Sequence, residues 1–296
     1  MTRSGPFVEP SPISRTYISQ RLRLHYVEWG NPDAPPLVLL HGGRDHCRSW
    51  DWVARRLADR FHVIAPDLRG HGDSAWSDGS TYMLPGYLYD LSQLIHQLKL
   101  APVTLVAHSL GGNIATRYAG IFPENVRRLV SIEGLGWHHY GDRSKLSTVE
   151  RLQKWVDDSR KLASYRPKRY ATLEDAERRM KEANTNLSDE QIQHLTIHGI
   201  AQNEDGTYSW KYDPYVRPWA PYDITREEIE GLWGRITCPV LLMWGSKSWH
   251  TNPAADGRLA LFVRGEVAAF EGAGHWVHHD QLEVFMERLE EFLHRT

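Results

Sequence analysis

Apolar and polar residues alternate along 17–29, YISQRLRLHYVEW. That period of two predicts an antiparallel hairpin or edge pair with one covered face. Residues 1–16, rich in Pro and Ser, read as a loosely held arm, and Asn31-Pro32-Asp33 with Pro35-Pro36 makes a turn. The pattern then changes to short unbroken apolar runs at 37–40, 62–65, 103–107, 129–132, 239–244 and 267–270. Short apolar runs bounded by glycine or polar residues are strands buried on both faces. Helical spacing separates them at 50–60, 85–99, 113–121 and 281–294, with Leu88, Leu91, Leu94, Ile95 and Leu98 forming one stripe. Strands alternating with helices predict an α/β fold: a mostly parallel, doubly wound sheet with helices on both faces.

The rhythm breaks between 134 and 235. That stretch is polar and charged, reads as helix at 149–162, 173–184 and 188–198, and has no buried-strand run. It carries Trp137, Trp155, Trp210, Trp219 and Trp233. The expected organisation is a core of residues 1–133 and 236–296 with a helical cap, 134–235, inserted between two strands. A length of 296 residues suits one large core with such an insertion. The chain has 12 Trp and 13 Tyr, so aromatic packing of the core and an aromatic pocket compete as explanations.

The chemistry sits where strands end. Ala107-His108-Ser109-Leu110-Gly111 joins a strand directly to a helix. A serine at such a joint sits on a tight turn with its hydroxyl raised above the sheet, and small residues on either side let the backbones approach. Ser109 is the candidate nucleophile; as a plain helix N-cap it would need none of the flanking motifs. His41-Gly42-Gly43 follows the first buried strand, and the amides of Gly43 and Leu110 are the candidate oxyanion hole. His41 itself reads as structural. Of 16 histidines, His275 stands out by following the last short strand in a Gly/Ala loop, ahead of the final helix. It is the candidate base, because its ordinary pKa suits taking a proton near neutrality. His278 and His279 are expected at the surface or as caps.

The set HGGRD (41–45), PDLRGHGDS (66–74), AHSLGG (107–112) and GAGH (272–275) resembles the α/β-hydrolase family, in the right order and across nearly the whole chain outside the cap and the arm. The resemblance implies the α/β-hydrolase fold and an acyl-enzyme serine hydrolase. It also exposes a departure. Most members carry an Asp three residues beyond the glycine ending the strand at Gly245, where this chain has Ser248, which cannot ionise. Some relatives, certain lactone hydrolases and haloalkane dehalogenases among them, carry the acid at the end of the strand after the nucleophile strand, which here is Glu133. Glu133 is assigned as the orienting acid, with Asp256 the alternative. The 67–72 loop is expected to be scaffolding; for Arg44 and Asp45 a salt-bridged loop is expected ahead of the alternative, contact with substrate.

The expected reaction is hydrolysis of a carboxylic ester or lactone of a small to medium apolar or aromatic substrate. Carbon–carbon bond hydrolysis of a ring-cleavage product and a slow-turnover ligand receptor are the alternatives. Serine at 109 argues against the epoxide-hydrolase and dehalogenase chemistries, which need a carboxylate nucleophile. No cofactor is expected: there is no P-loop and no dinucleotide fingerprint, and His138-His139 has no third ligand spaced for a metal. A formal net charge of −2 gives no footprint for nucleic acid or anionic membrane, leaving a small-molecule substrate as the expected partner and the oligomeric state unread. Two cysteines, Cys47 and Cys238, make no disulfide framework, and no export signal or membrane-length apolar run is visible. A cytoplasmic protein is the expectation.

Overall fold

The computed structural model describes residues 11–78, 82–136, 146–218 and 220–295. Its strands are β1 (Ile13–Ser19), β2 (Leu22–Trp29), β3 (Pro36–Leu40), β4 (His62–Pro66), β5 (Val103–His108), β6 (Val126–Ile132), β7 (Ile200–Gln202), β8 (Tyr208–Trp210), β9 (Val240–Gly245) and β10 (Gly265–Phe270). Eight of them form one sheet in the order β1-β2-β4-β3-β5-β6-β9-β10. β1 and β2 pair antiparallel, β2 meets β4 antiparallel, and every later pairing is parallel.

The unbroken apolar runs have a direct cause. Alternate side chains of one strand enter different cores. Val38, Leu40, Leu105 and Ala107 pack on one face, and Leu37, Leu39, Val106 and Val130 on the other. Helices α1 (Asp51–Leu57), α2 (Leu84–Gln97) and α3 (Leu110–Ile121) cover the two faces, α1 on one and α2 with α3 on the other. The edge hairpin extends further than the alternation indicates. β1 starts at Ile13, inside the segment read as a loose arm, because residues 13–16 are all exposed and show no period of two. The remainder of that arm, 1–10, lies outside the described residues.

Between β6 and β9 lie α4 (Thr148–Ala163), α5 (Leu173–Ala183), α6 (Asp189–Gly199), the β7–β8 hairpin and α7 (Arg226–Gly234). α4 buries none of its residues and is held at its start by the capping box Ser147/Glu150. Small clusters hold the segment together, one of Tyr170, Ala176 and Ile200 against Trp210, another of Leu187, Ile192 and Leu195 against Trp52 and Trp276. The hairpin escaped the sequence reading because strands of three residues carry no detectable alternation. α7 differs from the other three helices. Its Ile229 and Trp233 join the main core, and Trp233 stacks on Phe262 at 5.4 Å. Trp137, Trp219 and the His138-His139 pair fall outside the described residues. Two helices, α8 (Val277–Asp280) and α9 (Leu282–His294), close the chain, and α9 buries Phe285, Met286 and Leu289.

Removing a fully buried indole leaves a cavity, whereas removing an exposed one does not. Trp233→Ala is expected to lower stability by about 3–5 kcal/mol and Trp155→Ala by less than about 0.5 kcal/mol, both measured by urea unfolding.

Candidate active site

Ser109 is the single residue between β5 and α3. Its N–H donates to the Ile132 carbonyl at 2.9 Å, continuing the β5–β6 ladder, while its carbonyl accepts from Asn113 N at 3.1 Å, opening α3. Serving both leaves it at φ 50°, ψ −113°, a conformation non-glycine residues avoid. Close packing makes the turn possible. A Cβ on Gly111 would lie 2.6 Å from the Leu40 carbonyl oxygen, and one on Gly112 would lie 2.6 Å from the Gly134 Cα. The loop after β3 presses on the same turn through Gly42, where a Cβ would meet His108 Nδ1 at 2.8 Å and Ser109 Cβ at 3.2 Å. At Gly43 a Cβ would meet nothing within 4 Å, so the close approach belongs to Gly42 and open space to Gly43. Leu110 opens α3 and is half-buried beside Ser109.

Glu133 follows β6 directly, on the strand neighbouring that of Ser109, and also has a positive φ, 52°. Its side chain is fully buried. Oε1 accepts from the Gly245 N–H at 2.8 Å, Oε2 accepts from the Ser248 hydroxyl at 2.5 Å, and Oε2 also faces His275 Nδ1 at 3.4 Å. Ser248, the residue standing where most relatives carry an Asp, thus hydrogen-bonds the carboxylate that the neighbouring strand supplies. Asp256, the alternative acid, is engaged elsewhere, paired with Arg258 at 2.7 Å.

His275 lies in the loop after β10, partly open to solvent. His108 anchors it: the His108 Nε2–H donates to the His275 carbonyl at 2.9 Å, and the two rings stand 4.7 Å apart. The residue before the serine therefore ties the loop bearing His275 to the turn bearing Ser109. Among the described residues the Ser109 hydroxyl makes no hydrogen bond of its own. Trp249, 56% exposed, lies 5.0 Å from the His275 ring, and the buried His250 lies 5.4 Å from it, nearly parallel. The sequence reading gave no role to His108, Trp249 or His250. The signal available for His108 was its place immediately before the serine; for the other two, only their place in the loop after β9.

Surrounding polar groups are scaffolding. Asp67 is buried and accepts from His25 Nδ1, Cys47 N and Asp73 N at 2.7, 2.7 and 2.9 Å. His41 bridges the Gly42 carbonyl and the Leu68 N–H. The expected Arg44–Asp45 salt bridge does not form among the described residues. Arg44 is exposed at φ 62°, while Asp45 is buried and accepts from His46 N at 2.8 Å. Burial pushes its carboxyl up to about 6.

The family model for the alpha/beta hydrolase fold matches residues 35–282. The chain belongs to the alpha/beta hydrolase fold family. It is similar to an uncharacterized protein of Mycobacterium tuberculosis, 29% identical over 88% of this chain and 76% of that one. It is similar, too, to an sn-1-specific diacylglycerol lipase of Xenopus laevis, 28% identical over 89% of this chain and 81% of the lipase. A solved hypothetical protein of Pseudomonas aeruginosa PAO1 superposes with a TM-score of 0.83 at 26% identity, covering 97% of this chain and all of that one. This alpha/beta hydrolase is an enzyme of the hydrolase class. Among its described residues no helix is long and apolar enough to cross a membrane.

One expectation about this hydrolase is overturned beside the site. His278 and His279 are buried rather than at the surface: His278 stacks on Trp50 at 4.4 Å, and both ring nitrogens of His278 lack a partner among the described residues. The short helix α8 turns this pair inward, which charge-based reading of histidine as a polar residue misses. His108, His41, His71, His278 and His279 are all buried, and burial holds each imidazole below its ordinary range, His41 and His279 to about 3 and His71 to about 4. The unfolded chain binds these protons near pH 6.5 and the folded chain does not, so stability falls as pH drops below about 6.5. Each histidine adds a slope of up to about 1.4 kcal/mol per pH unit until its folded pKa is reached. His278→Phe is expected to reduce the slope between pH 6.5 and 5 by one proton's worth, measured from urea midpoints across that range. An unchanged slope would mean that His278 is charged in the fold.

Proposed function

We propose that this hydrolase cleaves a carboxylic ester or lactone of a small to medium apolar or aromatic substrate through an acyl-enzyme on Ser109. The observation that carries the reading is the buried Glu133 carboxylate, pinned by Gly245 and Ser248 and facing His275 Nδ1. A carboxylate there keeps the ring proton on Nδ1 and leaves Nε2 as a lone pair directed away from it. His275 then takes the Ser109 proton as the hydroxyl attacks the acyl carbon, and returns it to the departing oxygen. A water, activated by the same ring, releases the acid. The developing oxyanion is assigned to the amides of Gly43 and Leu110, the second aided by the helix N-terminus. Serine at 109 supports acyl transfer over reactions that require a carboxylate nucleophile.

We assign residues 134–235 as the cap over this site. Four hydrogen bonds support the docking of α6 and the turn before it on its rim: Gln191 to the His279 carbonyl at 3.0 Å, Asn186 to Asp280 at 3.3 Å, His194 to the Arg48 carbonyl at 3.1 Å, and His46 to the Leu195 carbonyl at 3.0 Å. The apolar substrate preference rests on the exposed Trp249 beside His275. The two cysteines are free and buried, which fits a reducing, cytoplasmic setting.

Turnover of p-nitrophenyl esters, lactones and a dienoate diketone tests the reading. Ser109→Ala is expected to abolish ester turnover, and Glu133→Gln to lower kcat about 10³–10⁴-fold. Adding Ser248→Asp to Glu133→Gln returns a carboxylate within reach of His275 and is expected to recover at least about tenfold. Full activity in Glu133→Gln sinks the acid assignment, and preference for the diketone over every ester moves the reading to carbon–carbon bond hydrolysis.

A further inference from the structure

We propose that Glu133, His250 and His275 form a binding site for a divalent transition-metal ion of the zinc type, and that occupation switches the enzyme off. The inhibitory half rests on the reading of His275 as the base; the binding half does not. One ligand atom from each of the three residues lies within 4.8 Å of the other two. Two imidazoles and one carboxylate are a common zinc donor set. Bonds of roughly 2.0–2.1 Å separate tetrahedral ligand atoms by roughly 3.4 Å; His275 Nδ1 and Glu133 Oε2 already stand 3.4 Å apart, so the closing movement falls to His250.

The outer contacts that a metal site needs already exist. Gly245 N–H and the Ser248 hydroxyl hold the Glu133 carboxylate, and the backbone of His250 is held through its carbonyl by Trp244 Nε1 at 2.8 Å and through its N–H by Ser248 Oγ at 3.2 Å. His275 is 24% exposed on its side chain and gives an ion a route in from solvent. The described residues hold two other clusters of this kind, and neither suits a cation as well. In Asp51, His194 and His198, the carboxylate is paired with Arg48 at 2.6 Å and Arg55 at 3.7 Å, whose charges oppose a second cation. In His25, Cys47 and Asp67, all three are buried, and the Cys47 thiol would have to lose its proton before it could bind.

Inhibition follows from the tautomer. A neutral imidazole has one N–H, and a metal ion on Nδ1 uses the lone pair there. The proton that sat on Nδ1 moves to Nε2, so Nε2 has no lone pair left to accept the Ser109 proton. No electron is transferred and no bond of the chain is broken.

Calorimetric titration of full-length Ser109→Ala with zinc chloride reads binding without any turnover. Ester hydrolysis by the wild type with added zinc, then EDTA, reads inhibition. The expected result is one ion per chain, inhibition reversed by EDTA, and at least a tenfold weaker zinc response in His250→Asn, read as inhibition relative to that variant's own zinc-free rate. Should His250→Asn fail to fold, Ser109→Ala/His275→Asn replaces it and is expected to lose the calorimetric signal. The proposal is overturned if either variant binds zinc as tightly as its parent, or if an active wild type is indifferent to zinc. If zinc binds as expected but no ester is hydrolysed, the site stands and the esterase reading falls.

Discussion

The site depends on how closely the chain can pass itself where β3, β5 and β6 end and α3 begins. Gly111 lies against the Leu40 and His41 carbonyls, and Gly112 against Gly134, with no room at either for a Cβ. Without that contact α3 could not start one residue after β5 ends, and Ser109 would relax out of its positive φ. A non-glycine residue in such a conformation costs on the order of 1–3 kcal/mol. Here the cost is met by a ladder hydrogen bond on one side of Ser109 and a helical one on the other. The strain is thus a product of the packing, and it raises a side chain above the sheet edge.

Glu133 repeats the device one strand away. Its N–H bonds the Met243 carbonyl, its φ is positive, and its carboxylate turns back to the end of β9. A carboxylate this deep needs donors, and it has a backbone amide and a hydroxyl before any histidine is counted. Ser248 therefore serves the charge rather than carrying it. Had both positions been acidic, two carboxylates at hydrogen-bond distance would have repelled each other.

How far the sequence was legible follows from the physics of each signal. The sheet could be read because strands buried on both faces leave unbroken apolar runs, and the turn at Ser109 because small residues must flank it. Glu133 emerged from an absence, the missing carboxylate at 248. What stayed hidden was whatever depends on tertiary context. Residues 13–16 show no alternation because all are exposed. Trp233 lies in a polar segment yet enters the main core. His278 and His279 count as polar in a sequence but pack as aromatic rings. His108, Trp249 and His250 gain their places from loops that meet only in three dimensions.

The carboxylate is also carried by the residue at which the chain departs from the sheet: Glu133 directly follows β6, and Gly134 starts the long excursion before the return at Val240. A tug on that excursion acts on the backbone of Glu133 through a single peptide bond, before any side chain can absorb it. On the proposed reading of 134–235 as a cap and of Glu133 as the orienting acid, access to the cleft and the orientation of the imidazole share one pivot, at a backbone angle that few residues tolerate.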